Sequence, residues 1–221
     1  MEQGFFNFKN TNKYLATSYL VSSSNQQVFS CVNSLNIKTF LISGPPKSGK
    51  THLTHIWKEK NNAKFINSEQ MSARNEFEIQ ELLEFIKPEA SYIIDDLEKK
   101  LFNENVLFHL LNDVAEKNSK LFLTSIYRSN GFSLSLKDLS SRFNNLDNFS
   151  IEHPDENLIK MLFVKFFSDK QISVDSNVVE FLLKKVKRTY QGVYDVVNIL
   201  DDYSKKRKQR ITIPVLGTLK I

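Results

Sequence analysis

The sequence contains few residues with unusual backbone freedom. Its 221 residues include 6 glycines and 5 prolines, whereas average usage would give about fifteen glycines. This scarcity excludes a collagenous or Gly/Pro-rich disordered chain and disfavours a β-sandwich with many tight turns. Two of the glycines and two of the prolines fall within residues 44–49, which marks that segment as one that needs special backbone geometry.

Cysteine and long apolar runs are also scarce. The single cysteine, Cys31, excludes an intramolecular disulfide. No segment approaches the roughly eighteen consecutive apolar residues of a membrane span, and the N-terminus lacks the basic start and apolar run of a signal peptide. The net charge of +5 is too modest for a nucleic-acid footprint along the whole chain. We therefore expect a cytoplasmic protein that does not associate with membranes.

The hydrophobic pattern alternates strand-like and helix-like segments as far as residue 153. Strands are predicted at Lys38–Ser43, Lys64–Asn67, Ser91–Asp95, Lys120–Ser125 and Phe149–Glu152. Helices are predicted between them at His52–Lys60, Glu76–Lys87 and Asn103–Lys117. This alternation predicts an α/β fold in which a parallel sheet is flanked by helices.

Beyond residue 153 the pattern is helical only. Helices are predicted over about residues 155–170, 175–188 and 190–206, followed by a short segment from Thr212. The chain is therefore divided into an N-terminal segment (1–12), an α/β domain (13–153) and a small all-helical domain (154–221).

One segment carries a phosphate-binding motif. Residues 44–51 read GPPKSGKT and fit G-x-x-x-x-G-K-[ST] between a predicted strand and a predicted helix. The glycines let backbone N–H groups turn toward phosphate oxygens, and the helix N-terminus adds a partial positive charge. Lys50 would reach the β- and γ-phosphates, and Thr51 would ligate Mg²⁺. The predicted ADP or ATP contacts are Gly44, Pro45, Pro46, Lys47, Ser48, Gly49, Lys50, Thr51 and His52.

A phosphate loop also requires a carboxylate at the end of a neighbouring strand. Asp95 and Asp96 follow the apolar residues Tyr92–Ile94. We expect Asp95 to hold Mg²⁺ together with Thr51, and Asp96 to orient or activate the attacking water.

These motifs, in this order and spacing, resemble the AAA+ superfamily, and within it the family of the replication initiator DnaA and its short relative Hda. The segments that carry the resemblance are GPPKSGKTHLTHIW, YIIDDLE, LFLTS, LSSRF and the tail FLLKKV…TIPVLGTLKI. The resemblance implies an AAA+ P-loop NTPase fold with a helical lid. DnaA-type initiators carry a DNA-binding domain after the lid, whereas this sequence ends at Ile221. The expected architecture is therefore of the Hda type, without sequence-specific DNA binding.

The resemblance also implies a function. Hda-type proteins negatively regulate replication initiation by stimulating hydrolysis of DnaA-bound ATP through an arginine that acts in trans, and Arg142 occupies that position. They bind the DNA polymerase sliding clamp (the β subunit) through an N-terminal peptide, which Gln3, Phe6 and Phe8 fit, although Gly4 departs from the usual apolar residue. The expected partners are DnaA and the clamp. Whether the protein also forms a homodimer is left open by the sequence.

The sequence departs from the family pattern where ATP would be sensed. Thr124 and Ser125 are followed by Ile126 rather than an aspartate, which leaves their hydroxyls as the catalytic contacts. The position of the lid arginine falls on Gln191, which carries no charge, although Arg188 lies nearby. We therefore expect nucleotide binding with weak intrinsic hydrolysis. The adenine pocket is expected at Tyr19, Val21 and Asn25.

Two other functions stay open at this point. One is a helicase-loader-like or other AAA+ ATPase that acts on nucleic acid, for which the basic run Lys205–Arg210 would be a contact surface. The same run is also typical of a solvated helix end. The other is a nucleotide-bound adaptor that contributes nothing to catalysis.

Overall fold

The computed structural model describes residues 14–34, 37–73, 75–99 and 102–219. The α/β part contains α1 (Gln26–Asn33), β1 (Thr39–Ser43), α2 (Lys50–Asn61), β2 (Lys64–Phe65), α3 (Ser68–Met71), α4 (Glu76–Phe85), β3 (Ser91–Ile94), α5 (Glu104–Glu116), β4 (Lys120–Ser125), α6 (Lys137–Asn144) and β5 (Asp147–Ser150). The lid contains α7 (Glu156–Asp169), α8 (Ser176–Lys185), α9 (Tyr190–Arg207) and α10 (Ile213–Thr218).

The strands form one parallel sheet in the order β2-β3-β4-β1-β5. Their carboxyl ends therefore lie along the same edge. The segments that follow β1, β3 and β4 meet there, which is where open α/β sheets bind ligands. This topology places the phosphate loop, the Asp95–Asp96 pair and the Thr124–Ser125 pair side by side.

Strand side chains alternate between two apolar clusters, one on each face of the sheet. Phe40 and Phe122 belong to the first cluster, with stacked rings 4.5 Å apart, and buried Trp57 of α2 meets both rings edge-on. Leu41 and Leu123 belong to the second cluster with α4, α5 and α6. The parallel pairing of the strands, with helices packed on both faces, confirms the predicted sheet.

The lid packs into the first apolar cluster together with α1 and α2. Its buried contributors include Leu158, Phe163, Leu182 and Val193. Asp155 caps α7 by accepting a hydrogen bond from the Leu158 N–H at 2.7 Å. The α/β layer and the small helical lid that follows it therefore share an apolar core.

A buried carboxylate joins two lid helices. Asp201 of α9 accepts from Lys170, which follows α7, at 3.0 Å and from Lys205 at 2.8 Å. The hydrogen bond from Lys205 and then the one from Lys170 hold the pKa of Asp201 below its ordinary value. Among the described residues, no helix combines the length and apolar character needed to cross a bilayer.

The structure corrects several predicted boundaries. The last strand is Asp147–Ser150, two residues earlier than expected, and β2 is two residues long rather than four. Asp147 and Asn148 are polar and exposed because β5 is an edge strand, so hydrophobicity does not mark it. Helices α1 and α6 were not predicted, since each is eight residues long and buries only two or three side chains.

Candidate nucleotide-binding site

The phosphate loop is a tight connection between β1 and α2. The Gly44 N–H donates to the Ser125 carbonyl at 3.1 Å, and the Ser48 N–H donates to the Pro45 carbonyl at 3.2 Å. A Cβ at Gly44 would lie 2.9 Å from the Cβ of Ile151. Gly49, the N-cap residue of α2, has a φ of +94°, which favours glycine, and a Cβ there would lie 3.0 Å from the Tyr19 ring. Both glycines are therefore required by close approach or by backbone conformation.

Lys50 and Ser48 point their polar atoms into this loop. Lys50 is only 5% exposed, and its Nζ donates to the carbonyls of Gly44 at 2.8 Å and of Pro45 at 3.1 Å. The Ser48 Oγ is buried without a hydrogen-bond partner among the residues that the structure describes. A buried ammonium and an unsatisfied hydroxyl beside backbone N–H groups suit a phosphate ligand.

A hydrogen-bond network joins the ends of three elements behind the loop. Thr51 of α2 donates to Asp95 Oδ2 at 2.8 Å, and Thr124 of β4 donates to Asp95 Oδ1 at 2.6 Å. The Thr124 hydroxyl also accepts from the Asp96 N–H at 2.9 Å. Both oxygens of Asp95 are thus oriented by neighbouring hydroxyls. Thr51 and Asp95 offer hard oxygen ligands of the kind that Mg²⁺ prefers, so this pair fits the ion.

The remaining residues of this network lie at the carboxyl ends of β3 and β4. Asp96 has a φ of +53°, in the left-handed region that is uncommon for a residue with a side chain. Ser125 is buried, and its Oγ accepts from the Tyr127 N–H at 2.9 Å. In the described structure, Thr124 therefore contacts Asp95 and Asp96, whereas Ser125 orders the turn after β4.

The segment before α1 packs on the first turn of α2. Tyr19 is buried against Gly49 and meets His52 edge-on at 5.2 Å. His52 Nε2 lies 2.9 Å from the Leu15 carbonyl oxygen, and burial lowers the pKa of His52. His52 thus anchors this segment beside the loop.

The other two predicted adenine contacts, Asn25 and Val21, follow Tyr19 in the same segment. The Asn25 amide closes its own turn by accepting from the Ser22 N–H at 2.8 Å and donating to the Leu20 carbonyl at 2.9 Å. Val21 is 39% exposed. Tyr19 is therefore the predicted base contact that lies directly against the phosphate loop.

The lid reaches the phosphate loop through α9. Gln191 donates from Nε2 to Asp195 Oδ1 at 2.6 Å. One turn after Gln191, the Tyr194 ring lies 4.2 Å from the Nζ of Lys47, a contact that sequence reasoning missed. Arg188, the other cation considered near Gln191, pairs with Glu156 at 3.2 Å.

Arg142 lies on a different surface from the phosphate loop. Helix α6 buries Leu139 and Phe143, while Arg142 is exposed with its guanidinium 5.9 Å from the Phe108 ring of α5. Glu104, one turn before Phe108, accepts from the N–H groups of Ser135 and Leu136 at the start of α6 at 2.8 to 2.9 Å. Sequence reasoning missed both α5 residues because only the fold brings α5 beside α6. Gln3, Phe6 and Phe8, predicted to bind the clamp, lie outside the described residues.

The comparison of sequences connects this arrangement to known proteins. Residues 155–218 match the family model of the Hda lid domain. The chain is 26% identical to the chromosomal replication initiator protein DnaA of Buchnera aphidicola subsp. Baizongia pistaciae over 92% of its own length. The chain is therefore similar to DnaA over most of its length, and its C-terminal part is similar to the Hda lid domain. This confirms the resemblance predicted from its motifs, although the chain spans only about half (49%) of that relative.

Solved structures have the same fold as this chain. Domain III of DnaA from Thermotoga maritima superposes with a TM-score of 0.76 at 19% identity, covering 91% of this chain and 92% of that one. AMPPCP-bound DnaA from Aquifex aeolicus superposes with a TM-score of 0.68 at 17% identity, covering 91% and 70%. At these identities the likeness shows the α/β core and lid. The second structure also shows that a DnaA protein binds an adenine nucleotide analogue.

Proposed function

We propose that this chain is an Hda-like negative regulator of replication initiation, which binds ADP or ATP with Mg²⁺ and stimulates hydrolysis of DnaA-bound ATP. The observation that carries this proposal is the separation of two sites. Phosphate-binding groups are buried at the sheet edge, whereas Arg142 is exposed on α6 beside Phe108. An exposed guanidinium on another surface suits a phosphate held by a neighbouring protein.

The chain's own nucleotide site is suited to holding phosphates. Lys50 would exchange its carbonyl partners for phosphate oxygens, and the Ser48 hydroxyl would gain a partner. Thr51 and Asp95 would hold Mg²⁺, which neutralises charge on the β- and γ-phosphates when bound. Gln191 brings no cation to this site, so we expect nucleotide binding with slow intrinsic turnover.

The contacts of α6 support the proposed action of Arg142 in trans. Buried Leu139 and Phe143 fix the helix, and Glu104 fixes its first residues. A guanidinium presented in this way could approach the γ-phosphate of DnaA-bound ATP without rearrangement of the helix. Gln3, Phe6 and Phe8 would bring the protein to the sliding clamp, and thereby to DnaA at the replication site.

The deciding experiment measures hydrolysis of DnaA-bound ATP in the presence of clamp loaded on DNA, with and without this protein. We expect clamp-dependent acceleration, and we expect a variant lacking residues 1–8 to lose both the acceleration and capture by the clamp. Unchanged hydrolysis with the full-length protein would contradict the proposal.

A second candidate function is an ATPase that acts on nucleic acid by itself. It is favoured by one observation: residues 205–210 are exposed and five of the six are basic. That function requires DNA-stimulated ATP turnover by this protein alone, which Lys50→Ala would abolish. Absence of DNA stimulation, together with acceleration of DnaA-bound ATP hydrolysis, would decide for the regulator.

A further inference from the structure

A contact between the lid and the phosphate loop stands out in the structure. The Lys47 ammonium lies 4.2 Å from the centre of the Tyr194 ring, well inside the range of a cation–π interaction. Lys47 is the fourth residue of the GPPKSGKT segment, and Tyr194 lies one turn after Gln191 on α9. We call this pair the lid contact.

The backbone of Lys47 suggests that this position is more than a surface lysine. Its φ is +63°, in the left-handed region that favours glycine and is uncommon for a residue with a side chain. Glycine would adopt this turn without strain. A lysine in this position brings a long cationic side chain out of the loop, and that side chain reaches the lid.

The aromatic partner is itself held in place. The Tyr194 ring meets Phe166 of α7 edge-on at 6.1 Å, and Phe166 packs against the first apolar cluster. Tyr194 is half-buried. The ring therefore presents a fixed surface to Lys47, which limits the entropy lost when the two side chains meet.

We propose that the lid contact holds α9 against the phosphate loop and so slows the release of nucleotide. Lys47 and Tyr194 are positioning residues in this proposal. They link the lid to the phosphate loop near the N-terminal end of α9, where Gln191 carries no charge. The inference rests on the nucleotide-binding part of the proposed function and is independent of Arg142. Opening of the lid would break the contact, so nucleotide release and lid movement are coupled.

The test is a double-mutant cycle on the ADP dissociation rate, measured with a fluorescent ADP analogue. Tyr194→Leu removes the ring, and Lys47→Gly removes the cation while suiting the backbone. Each single variant should release ADP about two- to fivefold faster, as expected for a partly exposed cation–π pair. The double variant should release ADP no faster than either single variant, because the two residues act through one contact.

Two further variants control for structure. Tyr194→Phe keeps the ring and should release ADP at the wild-type rate. Tyr203→Leu changes a tyrosine farther along α9, which contacts Gln209 instead, and should also leave the rate unchanged. The thermal midpoints of these variants without nucleotide show whether the lid stays folded.

The results separate this inference from the proposed function. A wild-type release rate in Tyr194→Leu, or rates that multiply in the double variant, would overturn the lid contact while leaving nucleotide binding intact. Failure of the wild-type protein to bind ADP would instead contradict the nucleotide-binding part of the proposed function, and the lid contact with it. Loss of stimulation of DnaA would leave the inference standing.

Discussion

The nucleotide site and the Arg142 surface are built in opposite ways. At the sheet edge, Asp95 accepts hydrogen bonds from Thr51 and Thr124, and Lys50 is almost fully buried with two carbonyl partners. On α6, Arg142 is exposed, and its described contact is an aromatic ring 5.9 Å away. The groups of the candidate nucleotide site are thus held by hydrogen bonds within the chain, whereas the group proposed to act on a partner stays accessible.

The difference shows where preorganisation is useful. Buried charges require partners, because desolvation without them is costly. The hydrogen bonds at the sheet edge are therefore already formed within the chain. An exposed arginine keeps its hydration and its rotamer freedom until a phosphate meets it. Helix α6, which bears Arg142, is held in place instead by buried Leu139 and Phe143 and by the hydrogen bonds to Glu104.

Removal of the Arg142 guanidinium should give the largest effect. Arg142→Ala is expected to lower the stimulated hydrolysis of DnaA-bound ATP by about a thousandfold, the lower end for an arginine finger. ADP binding by the protein should stay at the wild-type level, because the two sites are separate. Lys137→Ala, on the same helix and also exposed, is the matched control and should retain full stimulation. Equal stimulation of DnaA-bound ATP hydrolysis by Arg142→Ala and wild type would contradict the proposed role of Arg142.

Removal of the buried Lys50 ammonium should give an intermediate effect, on the affinity for ADP. Lys50→Ala should weaken ADP binding by about ten- to a hundredfold, as expected for loss of a charged hydrogen-bond donor, measured by calorimetry with Mg²⁺ present. Lys185→Ala removes an exposed lysine of α8 and should bind ADP normally. Wild-type affinity in Lys50→Ala would show that the loop does not hold phosphate.

The smallest effect concerns Glu104, which links α5 to the start of α6. Hydrogen bonds from the Ser135 N–H and then from the Leu136 N–H lower the pKa of Glu104 below its ordinary value. Its stabilisation is therefore present above the pKa of an unfolded-state glutamate and is lost as the pH falls through the lowered pKa. Glu104→Gln should lower the thermal midpoint at pH 7 by no more than about 2 °C, since the group is near the surface.

The pH dependence supplies the control for that measurement. As the pH falls below the lowered pKa, wild-type Glu104 becomes neutral like glutamine, so the difference in midpoint should shrink toward zero. A difference that stays constant from pH 7 to pH 3 would mean that the Glu104 charge does not hold α6.

Much of the sheet could be predicted from the sequence. The runs that form β1, β3 and β4 are short, apolar and bounded by turn residues, and their positions agree with the structure to within a residue. Burial on both faces of a parallel sheet gives such strands a strong hydrophobic signal. The polar edge strand β5 has no such signal, and the hydrophobic pattern misplaced it by two residues.

The residues of the candidate site likewise divide into those that a local sequence pattern identifies and those that only the structure brings together. Gly44, Gly49, Lys50, Thr51 and Asp95 form a local pattern with a fixed spacing, so the sequence identifies them together. The contact of Lys47 with Tyr194 joins residues 147 positions apart, and no spacing rule connects them. Asn25 is likewise predicted as a base contact from the sequence, and only the structure shows that both ends of its amide close a turn.

By itself, the sequence determined the α/β class, the phosphate loop and the likeness to DnaA, because local hydrophobic periodicity and backbone-special residues encode them. Only the tertiary structure decided which side chains meet. It joined Asp95 to hydroxyls from two other elements, it placed Arg142 beside Phe108 of α5, and it brought the lid to Lys47. Such contacts depend on the packing of helices against a common sheet, and that packing follows from the sum of all buried surfaces rather than from any one segment.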